Sequence, residues 1–374
     1  MEFSFTPQKP NGHKCTLKIA KRLSASHTSA VYQLSAPYPG YVLKIIAVAN
    51  DDKEAYVTRR ALQLQNCVNF PHLYFWTRVI DSSYFGSITP TEKHYVYLIQ
   101  QGSPLELLFE MISNATQYRS TVLQMILPLI ALHESGILHC DVKIENYVNS
   151  IRIYDPKWSD SSTHTVTCNG ATFEFEHTCD GLVIKPLLID FGLSRCVTDA
   201  KLSSQVVASL HTRPPELVFA VPRQALEYTE FSEACSFGLS VITELCNTKR
   251  LTHPKPPAGY MCEAISCIGQ QSSIAYDFES PQVIAKYAWD LITHIGYPGD
   301  EALQASPLGR VIRGHKASLI NMCYTIDRPE LCDLLGLDGV DMLRQLTRWD
   351  PPTRTPLRQI VQHKYFEPFA NSSG

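Results

Sequence analysis

The amino-terminal third of the chain alternates short apolar runs with polar turns. These apolar runs cover residues 42–46, 79–80 and 95–99. Runs of this length, separated by polar turns, are typical of short strands. The polar stretch 82–93 would be the turn between the last two. We also predict a helix over about 51–66, which begins at Asp51 with an acidic residue, Glu54, three positions on.

Further along, apolar residues recur at helical spacing. The long apolar stretch 120–135 predicts a helix that Pro128 bends. Apolar residues recur every three to four positions over 239–245, and Leu343 and Leu346 repeat the spacing near the end. We therefore predict helices in these stretches.

A different signal lies between them. Asn169-Gly170 is flanked by Val166 and Phe173, and Asn-Gly between strand-forming residues is the strongest short hairpin signal. We predict a β-hairpin here. It either docks a regulatory partner or only decorates the surface.

Composition narrows the possible partners and the compartment. The chain has 374 residues and a net charge of -3, so no global basic field favours nucleic acid or an acidic membrane. Its 12 cysteines are scattered without a C-x-x-C pair, which favours reduced thiols. We find neither a secretory leader nor an apolar run long enough to span a bilayer. We expect an intracellular protein, cytoplasmic or nuclear, with no nucleic-acid or membrane partner.

The candidate chemistry centres on residues 139–146, which read H-C-D-V-K-I-E-N. Asp141 can orient a hydroxyl nucleophile, Lys143 can neutralise phosphate charge, and the amide oxygen of Asn146 can ligate a metal. After an apolar run, Asp190 opens a D-F-G turn and offers the carboxylate oxygen that Mg²⁺ prefers. Together these residues indicate phosphoryl transfer.

The two motifs, in this order, resemble the catalytic and metal-binding loops of eukaryotic-type protein kinases. The resemblance implies an α+β, bilobal fold with a small antiparallel sheet and one main helix in the N-lobe and a mostly helical C-lobe. The implied boundaries are a loose extension at 1–19, an N-lobe at 20–100 and a C-lobe at 101–374. An inserted hairpin at about 150–184 adds roughly thirty residues to the usual pattern.

The resemblance also implies ATP and Mg²⁺ as cofactors, and it assigns a glycine-rich hairpin to the segment before the lysine strand. Aligned on Val31, its three glycine positions are Ser24, Ser26 and Ser29. Serine keeps the backbone N–H groups that bind phosphate but loses the freedom of glycine. We expect ATP binding that is weaker or slower than usual, with Val31 beside the nucleotide.

Other nucleotide contacts follow from the same resemblance. Lys44 would contact the α- and β-phosphates and pair with Glu54, which is otherwise only a capping residue. The hinge that holds the adenine would lie near Leu98 and Gln100. Asn146 and Asp190 would hold Mg²⁺.

Residues 205–217 are similar to the segment V-V-T-x-W-Y-R-A-P-E of the cyclin-dependent and MAP kinase group. Ser209 falls at the hydroxyl position that bridges the catalytic aspartate and lysine in serine/threonine kinases. The resemblance therefore implies protein substrates phosphorylated on serine or threonine. It also implies a buried ion pair between Glu216 and Arg354, and an acid, Glu233, that braces the backbone of the catalytic loop.

Cys140 departs from the pattern, because an arginine often precedes the catalytic aspartate and binds a phosphate on the activation loop. A cysteine cannot form that charge-assisted pair. Ser203 and Ser204 lie where the phosphate would sit. We therefore predict activity without phosphorylation of this loop.

Two alternatives stay open. A pseudokinase that binds nucleotide or acts as a scaffold is favoured by the serine-rich hairpin and by Glu233 in place of aspartate. A small-molecule kinase is disfavoured by Ser209 and by the segment after it. The drift around intact catalytic residues also resembles that of kinases carried by large DNA viruses.

Overall fold

We analysed a computed structural model of the chain. It describes all residues except 1, 6–14, 26–28, 36–39, 48–52, 65–68, 80–93, 106–108, 110–111, 113, 151–162, 169–170, 177, 180–181, 184, 200, 203–207, 220–225, 250, 252–253, 270–279, 305 and 370–374. The predicted cap Asp51 and the turn 82–93 therefore lie outside the described residues.

An antiparallel sheet forms the amino-terminal part of the fold. Its strands are Glu2–Phe5 (β1), Cys15–Ala25 (β2), Ser29–Leu34 (β3), Tyr41–Ala47 (β4), Leu73–Val79 (β5) and His94–Gln100 (β6). They lie in the order β1-β2-β3-β4-β6-β5. Strand β6 lies between β4 and β5, so the two apolar runs predicted as neighbouring strands do pair.

The amino terminus differs from the expected loose extension at 1–19. The strand β2 begins at Cys15, and β1 pairs with it from Glu2↔Lys18 to Phe5↔Cys15. Leu17 is fully buried in the apolar cluster on one face of the sheet. This apolar contact ties the end of the expected extension to the sheet.

Helices dominate the rest of the chain. The helices are Lys53–Leu62 (α1), Ala115–Glu134 (α2), Pro215–Val218 (α3), Glu230–Thr248 (α4), Tyr260–Gly269 (α5), Pro281–Ile295 (α6), Asp300–Gln304 (α7), Pro307–Gly314 (α8), Lys316–Leu319 (α9), Pro329–Leu346 (α10) and Leu357–Ile360 (α11). Helix α1 follows β4 and precedes β5 along the chain. The long helix α2 begins five residues before the predicted start because Asn114 caps it through a bond from the Gln117 N–H. Pro128 lies inside it.

Three small ladders position the loops that carry the candidate chemistry. The strands are Gly102–Pro104 (β7), Ile137–Leu138 (β8), Tyr147–Ser150 (β9), Pro186–Leu188 (β14) and Arg195–Cys196 (β15). Strand β8 pairs with β15, and β9 pairs with β14 and β7. The loop 139–146 joins β8 to β9, and the loop 189–194 joins β14 to β15. Because both pairs of strands are laddered, the two loops are held against each other.

The predicted hairpin is present as Thr163–Cys168 (β10) and Ala171–Glu176 (β11), paired in register from Thr163↔Glu176 to Cys168↔Ala171. The two turn residues lie outside the described part. Phe173 and Phe175 are buried, and Phe175 stacks on Phe369 with ring centroids 6.2 Å apart. The inner face of the hairpin thus belongs to the main core, so it is more than surface decoration. The small ladders Thr178–Cys179 (β12) with Leu182–Val183 (β13), and Lys201–Leu202 (β16) with Leu226–Glu227 (β17), complete the strands described.

Candidate active site

The loop 139–146 brings three predicted residues into direct contact. Ser209 donates a 2.7 Å hydrogen bond from its hydroxyl, and a 2.9 Å bond from its backbone N–H, to Oδ1 of Asp141. Lys143 Nζ lies 2.9 Å from Oδ2 of Asp141 and donates to Ser209 Oγ over 2.7 Å. Asp141 is only 8% exposed. The carboxylate, the ammonium group and the hydroxyl therefore form a closed ring of short contacts.

Asn146 lies in a 3₁₀ turn, Ile144–Asn146, directly behind Asp141. Its Nδ2 donates to the carbonyl oxygen of Asp141 over 2.7 Å and to Oδ2 over 3.0 Å. Both partners are acceptors, so the amide must present its NH₂ side to Asp141. Within the described part of the chain no donor reaches the other side, which leaves the Oδ1 oxygen open to a cation.

The pKa of Asp141 lies below its ordinary value. Burial favours the neutral acid, but the hydrogen bond from Ser209 and the positive charge of Lys143 together outweigh it. Asp141 is consequently a carboxylate at neutral pH, and its oxygens can accept a hydrogen bond from a hydroxyl group.

The backbone just before Asp141 is held by a buried acid. Cys140 has a positive φ of 63° and donates its N–H to Oε1 of Glu233 over 2.8 Å. The other oxygen of Glu233 is hydrogen-bonded to His133. A non-glycine residue at positive φ is strained and needs such support. Glu233 therefore braces the loop, although it stands where the resemblance expects an aspartate.

The side chain of Cys140 lies among apolar groups. It is a buried free thiol, and it clusters with Leu138, Ala208, Leu217 and Tyr228. Burial raises the pKa of the thiol, so it carries no charge at neutral pH. A neutral thiol in this cluster cannot form the charge-assisted pair with a phosphate that an arginine forms.

A cleft lies between the sheet and the lower loops. Its apolar walls are Leu23, Val31, Val42, Ile99, Val148 and Ile189. Its polar side is formed by Ser24, Ser29, Lys44, Thr58, Gln100 and Asp190. Apolar walls with a few convergent polar groups are typical of small-molecule sites. Ser26 lies outside the described residues.

Lys44 and Asp190 meet inside this cleft. Lys44 Nζ donates to Oδ1 of Asp190 over 3.1 Å, and the side chain of Asp190 is 54% exposed while that of Lys44 is nearly buried. The charge of Lys44 lowers the pKa of Asp190, against the opposing effect of burial. The open carboxylate of Asp190 and the free oxygen of Asn146 are the two oxygens predicted for a metal, and hard oxygen ligands of this kind suit Mg²⁺.

Glu54 lies near this pair without joining it. Among the described residues no ion pair links it to Lys44, whose bonding partner is Asp190. Burial raises the pKa of Glu54, while the positive charge of Lys44 acts against that rise. The predicted Lys44–Glu54 pair is thus an electrostatic interaction here, and its direct form stays a prediction.

Of the two residues predicted for the hinge, Gln100 lines the cleft and Leu98 does not. The side chain of Gln100 joins the backbone N–H of His72 to the hydroxyl of Ser150 over 3.1 and 2.8 Å. Leu98, by contrast, is fully buried in the cluster on the opposite face of the sheet. Its neighbour Ile99 faces the cleft instead. Alternation along a strand explains the difference, because successive side chains point to opposite faces.

The sequence interpretation missed two residues that share a face with Lys44. Alternation along β4 could have found Val42, whereas Ile99 also requires the pairing of β6 with β4. Val42 lies two positions before Lys44 on β4, and Ile99 lies two positions after Tyr97, which pairs with Lys44. Both therefore share the face of Lys44 and line the cleft. Thr58 gave no such signal.

The segment after Ser209 is anchored by the predicted ion pair. Arg354 donates to both oxygens of Glu216 over 2.8 and 2.6 Å, and the guanidinium is fully buried. Ser232 adds a 2.8 Å bond to the same carboxylate. A bidentate pair of this kind fixes geometry as well as adding energy. It therefore anchors the segment of chain that follows Ser209.

The sequence matches the family model of the protein kinase domain over residues 27–366. Because the match covers most of the chain, the chain belongs to the protein kinase domain family, which transfers phosphoryl groups to proteins. No curated protein matches the chain significantly. Among the described residues we found no helix with the length and apolar character needed to cross a membrane.

Proposed function

We propose that the chain is a protein serine/threonine kinase that transfers the γ-phosphoryl group of ATP to a side-chain hydroxyl. The observation that carries this proposal is the closed ring of contacts among Asp141, Lys143 and Ser209. In this ring a hydroxyl group already donates to the carboxylate, and an ammonium group lies beside both. A substrate hydroxyl approaching the same carboxylate would meet the same partners.

The reaction needs one bond broken and one made. The hydroxyl oxygen attacks the γ-phosphorus, the bond to the β-phosphate oxygen breaks, and ADP leaves with the electron pair. Asp141 orients the hydroxyl and accepts its proton as the new bond forms. Lys143 neutralises charge on the transferred group. The lowered pKa of Asp141 keeps its carboxylate ionised, so it is free to accept the hydroxyl proton.

The nucleotide would lie in the cleft lined by Val31 and Lys44. The side chain of Lys44 is aimed at the space where the phosphates would lie, and its pairing with Asp190 keeps it there. Asn146 and Asp190 would hold Mg²⁺, which supplies positive charge against the phosphate oxygens. Ser24 and Ser29 would border the phosphates in place of glycine.

We also propose that activity does not require phosphorylation of the activation segment. Cys140 occupies the position of the arginine that usually binds this phosphate. Its thiol is buried among apolar groups. The segment is held in other ways. Arg195 and Cys196 are laddered to β8, and the Ala208 N–H donates to the Cys140 carbonyl oxygen over 2.7 Å.

A pseudokinase is the second candidate. It is favoured by the serines of the phosphate-covering turn and by a Lys44 that pairs with Asp190 without an ion pair to Glu54. A binding module needs the cleft, yet it has no need of the ring around Asp141. The intact ring is therefore the reason for preferring the enzyme.

Transfer of labelled γ-phosphate to a generic basic protein in the presence of Mg²⁺ tests this choice. We expect incorporation with the wild type and its loss with Asp190→Ala. The matched control is Asp338→Ala, which removes a surface carboxylate paired with Lys364 and should leave activity unchanged. ATP binding without incorporation in wild type and variant alike would favour the pseudokinase.

A further inference from the structure

A buried carboxamide lies where the chain leaves the amino-terminal sheet. Gln100 is the last residue of β6 and is 2% exposed. Its Oε1 accepts the backbone N–H of His72 over 3.1 Å, and its Nε2 donates to the hydroxyl of Ser150 over 2.8 Å. His72 lies directly before β5, and Ser150 is the last residue of β9. The side chain of Gln100 therefore connects the sheet to the separate ladder of β7, β9 and β14.

The two partners fix the orientation of the carboxamide. A backbone N–H can only donate, so the atom of Gln100 that faces His72 must be the oxygen. The NH₂ group then faces Ser150, which is itself 2% exposed. Gln100 also lines the cleft, yet both polar ends of its side chain are engaged within the protein. The side chain is therefore better suited to joining two parts of the fold than to contacting a nucleotide base.

The backbones that this side chain joins approach each other closely. The Gln100 N–H donates to the carbonyl oxygen of His72 over 2.9 Å. Two residues later Gly102 opens β7 and pairs with Ser150. A Cβ at Gly102 would lie 2.8 Å from the carbonyl oxygen of Asn149, so the position has no room for a side chain. The carboxamide thus bridges the sheet and the ladder at a point where neither backbone can shift without a clash.

The cleft has one wall on each side of this bridge. Val31 and Val42 line it from the sheet. Val148 lines it from β9, and Ile189 lines it from the loop after β14. A nucleotide between the two walls must contact both of them. Walls that are held at the right separation before binding spare the ligand the cost of ordering them.

We infer that Gln100 is a positioning residue that holds the two walls of the cleft at the separation that the nucleotide needs. It acts through His72 on one side and Ser150 on the other. The inference rests on the proposed function, because that proposal places ATP between these walls. The carboxylate of Asp141 lies on a loop that is held by Glu233 and by the pairing of β8 with β15. Loss of the bridge should therefore weaken ATP binding and leave turnover at saturating ATP nearly unchanged.

Gln100→Met and Ser150→Ala, made singly and together, test this role. Isothermal titration with ATP and Mg²⁺ gives Kd, and steady-state kinetics give KM for ATP and kcat. We expect each single variant to raise Kd and KM by about fivefold, as the loss of one buried hydrogen bond of ordinary strength would. The change in kcat should stay below about twofold. The double variant should bind ATP about as well as Gln100→Met alone, because both changes remove the same bridge.

A conservative variant separates the hydrogen bonds from side-chain packing. In Gln100→Glu the carboxylate can still accept the His72 N–H, and the Ser150 hydroxyl can turn to donate to its other oxygen. This variant should recover most of the affinity for ATP that Gln100→Met loses. Equal losses in both variants would assign the effect to packing and overturn the inference.

Helix α2 supplies a matched control. There Gln124 Nε2 donates to the hydroxyl of Ser120 over 3.3 Å, and neither residue is among the described residues that line the cleft. Ser120→Ala removes the same kind of bond as Ser150→Ala and should leave Kd for ATP unchanged. If it weakens ATP binding as much as Ser150→Ala does, the effect reflects a general loss of stability and Gln100 has no positioning role.

The two measurements also separate this inference from the proposed function. A wild type that binds ATP in the way described but transfers no phosphate would refute the kinase and keep the role of Gln100. A wild type that transfers phosphate, with Kd for ATP unaltered in Gln100→Met, would keep the kinase and refute that role. A wild type that does not bind ATP would refute both.

Discussion

The two halves of the site differ in how many contacts hold their side chains in place. On the acceptor side, Asp141 is enclosed by Lys143, Ser209 and Asn146 through contacts of 2.7 to 3.0 Å. On the nucleotide side, a single 3.1 Å contact joins Lys44 to an Asp190 that is more than half exposed. The proposed acceptor side is therefore closed by contacts among its own side chains, whereas one contact joins the two charged groups of the proposed nucleotide side.

The difference follows from how each half is supported. The acceptor loop is tied to β8 and β9 at its ends and to Glu233 at Cys140. The nucleotide side brings together Lys44 of β4 and Asp190 of the loop after β14, with Ser24 and Ser29 beside them. Preorganised groups stabilise a transition state without the cost of reordering at the moment of reaction. We therefore expect variants of the acceptor half to reduce turnover and variants of the nucleotide half chiefly to weaken ATP binding.

The largest effect should come from Asp141→Asn. The amide keeps the shape of the side chain but cannot accept a proton, so kcat should fall by about 10² to 10⁴-fold. Steady-state kinetics with saturating ATP measure this. The affinity for ATP should change by less than about twofold, since Asp141 does not line the cleft. Near-normal turnover in a folded variant would remove Asp141 from its proposed role.

Lys44→Met should be next, with kcat/KM for ATP reduced by about ten- to a hundredfold, because a charge-assisted contact to the phosphates is lost. Isothermal titration with ATP should show most of the loss as weaker binding. A loss confined to kcat would mean that the two halves of the site are not distinct in the way we describe.

The same variant has a pH signature. Pairing with Lys44 lowers the pKa of Asp190, so its stabilising effect is fully present above the ordinary carboxyl pKa of about 3.9 and is lost as pH falls through the lower folded value. Because Lys44 also acts on the pKa of Glu54, the comparison is made in a Glu54→Gln background. There the change in free energy of unfolding caused by Lys44→Met should be constant from about pH 6 to 8. It should shift below about pH 4, as chemical denaturation can measure. A difference that varied between pH 6 and 8 would contradict the assignment.

Ser209→Ala should reduce kcat by about tenfold, because both Asp141 and Lys143 lose a bonding partner. Ser209→Thr keeps the hydroxyl and should recover most of the activity. Equal losses in both variants would point to a packing effect at this position and away from the hydrogen bonds.

The acceptor half was the easier half to predict from the sequence. Asp141, Lys143 and Asn146 lie within six consecutive residues, so a local motif suffices to bring them together. Lys44 and Asp190 are separated by more than a hundred residues, and the choice of Asp190 over Glu54 as the bonded partner depends on the exact position of α1. No local pattern encodes that position.

The hinge and the hairpin show two further limits. Leu98 and Ile99 are both apolar on a strand that is buried on both faces, so alternation in the sequence could not reveal which one faces the cleft. Asn169-Gly170 predicted the hairpin correctly from local geometry. Its packing against Phe369 is a contact between distant segments, and the turn signal carries no information about it.

The smallest effect should come from phosphatase treatment of the purified protein, which we expect to change kcat by less than about twofold. Cys140 offers no positive charge to a phosphate, and its cluster with Ala208 and Tyr228 already holds the activation segment by apolar contact. Mass spectrometry of residues 201–213 before and after treatment confirms that any phosphate has been removed. If activity disappears together with a phosphate on Ser203 or Ser204, the segment must use another cation, and Arg195 on β15 would be the first residue to replace.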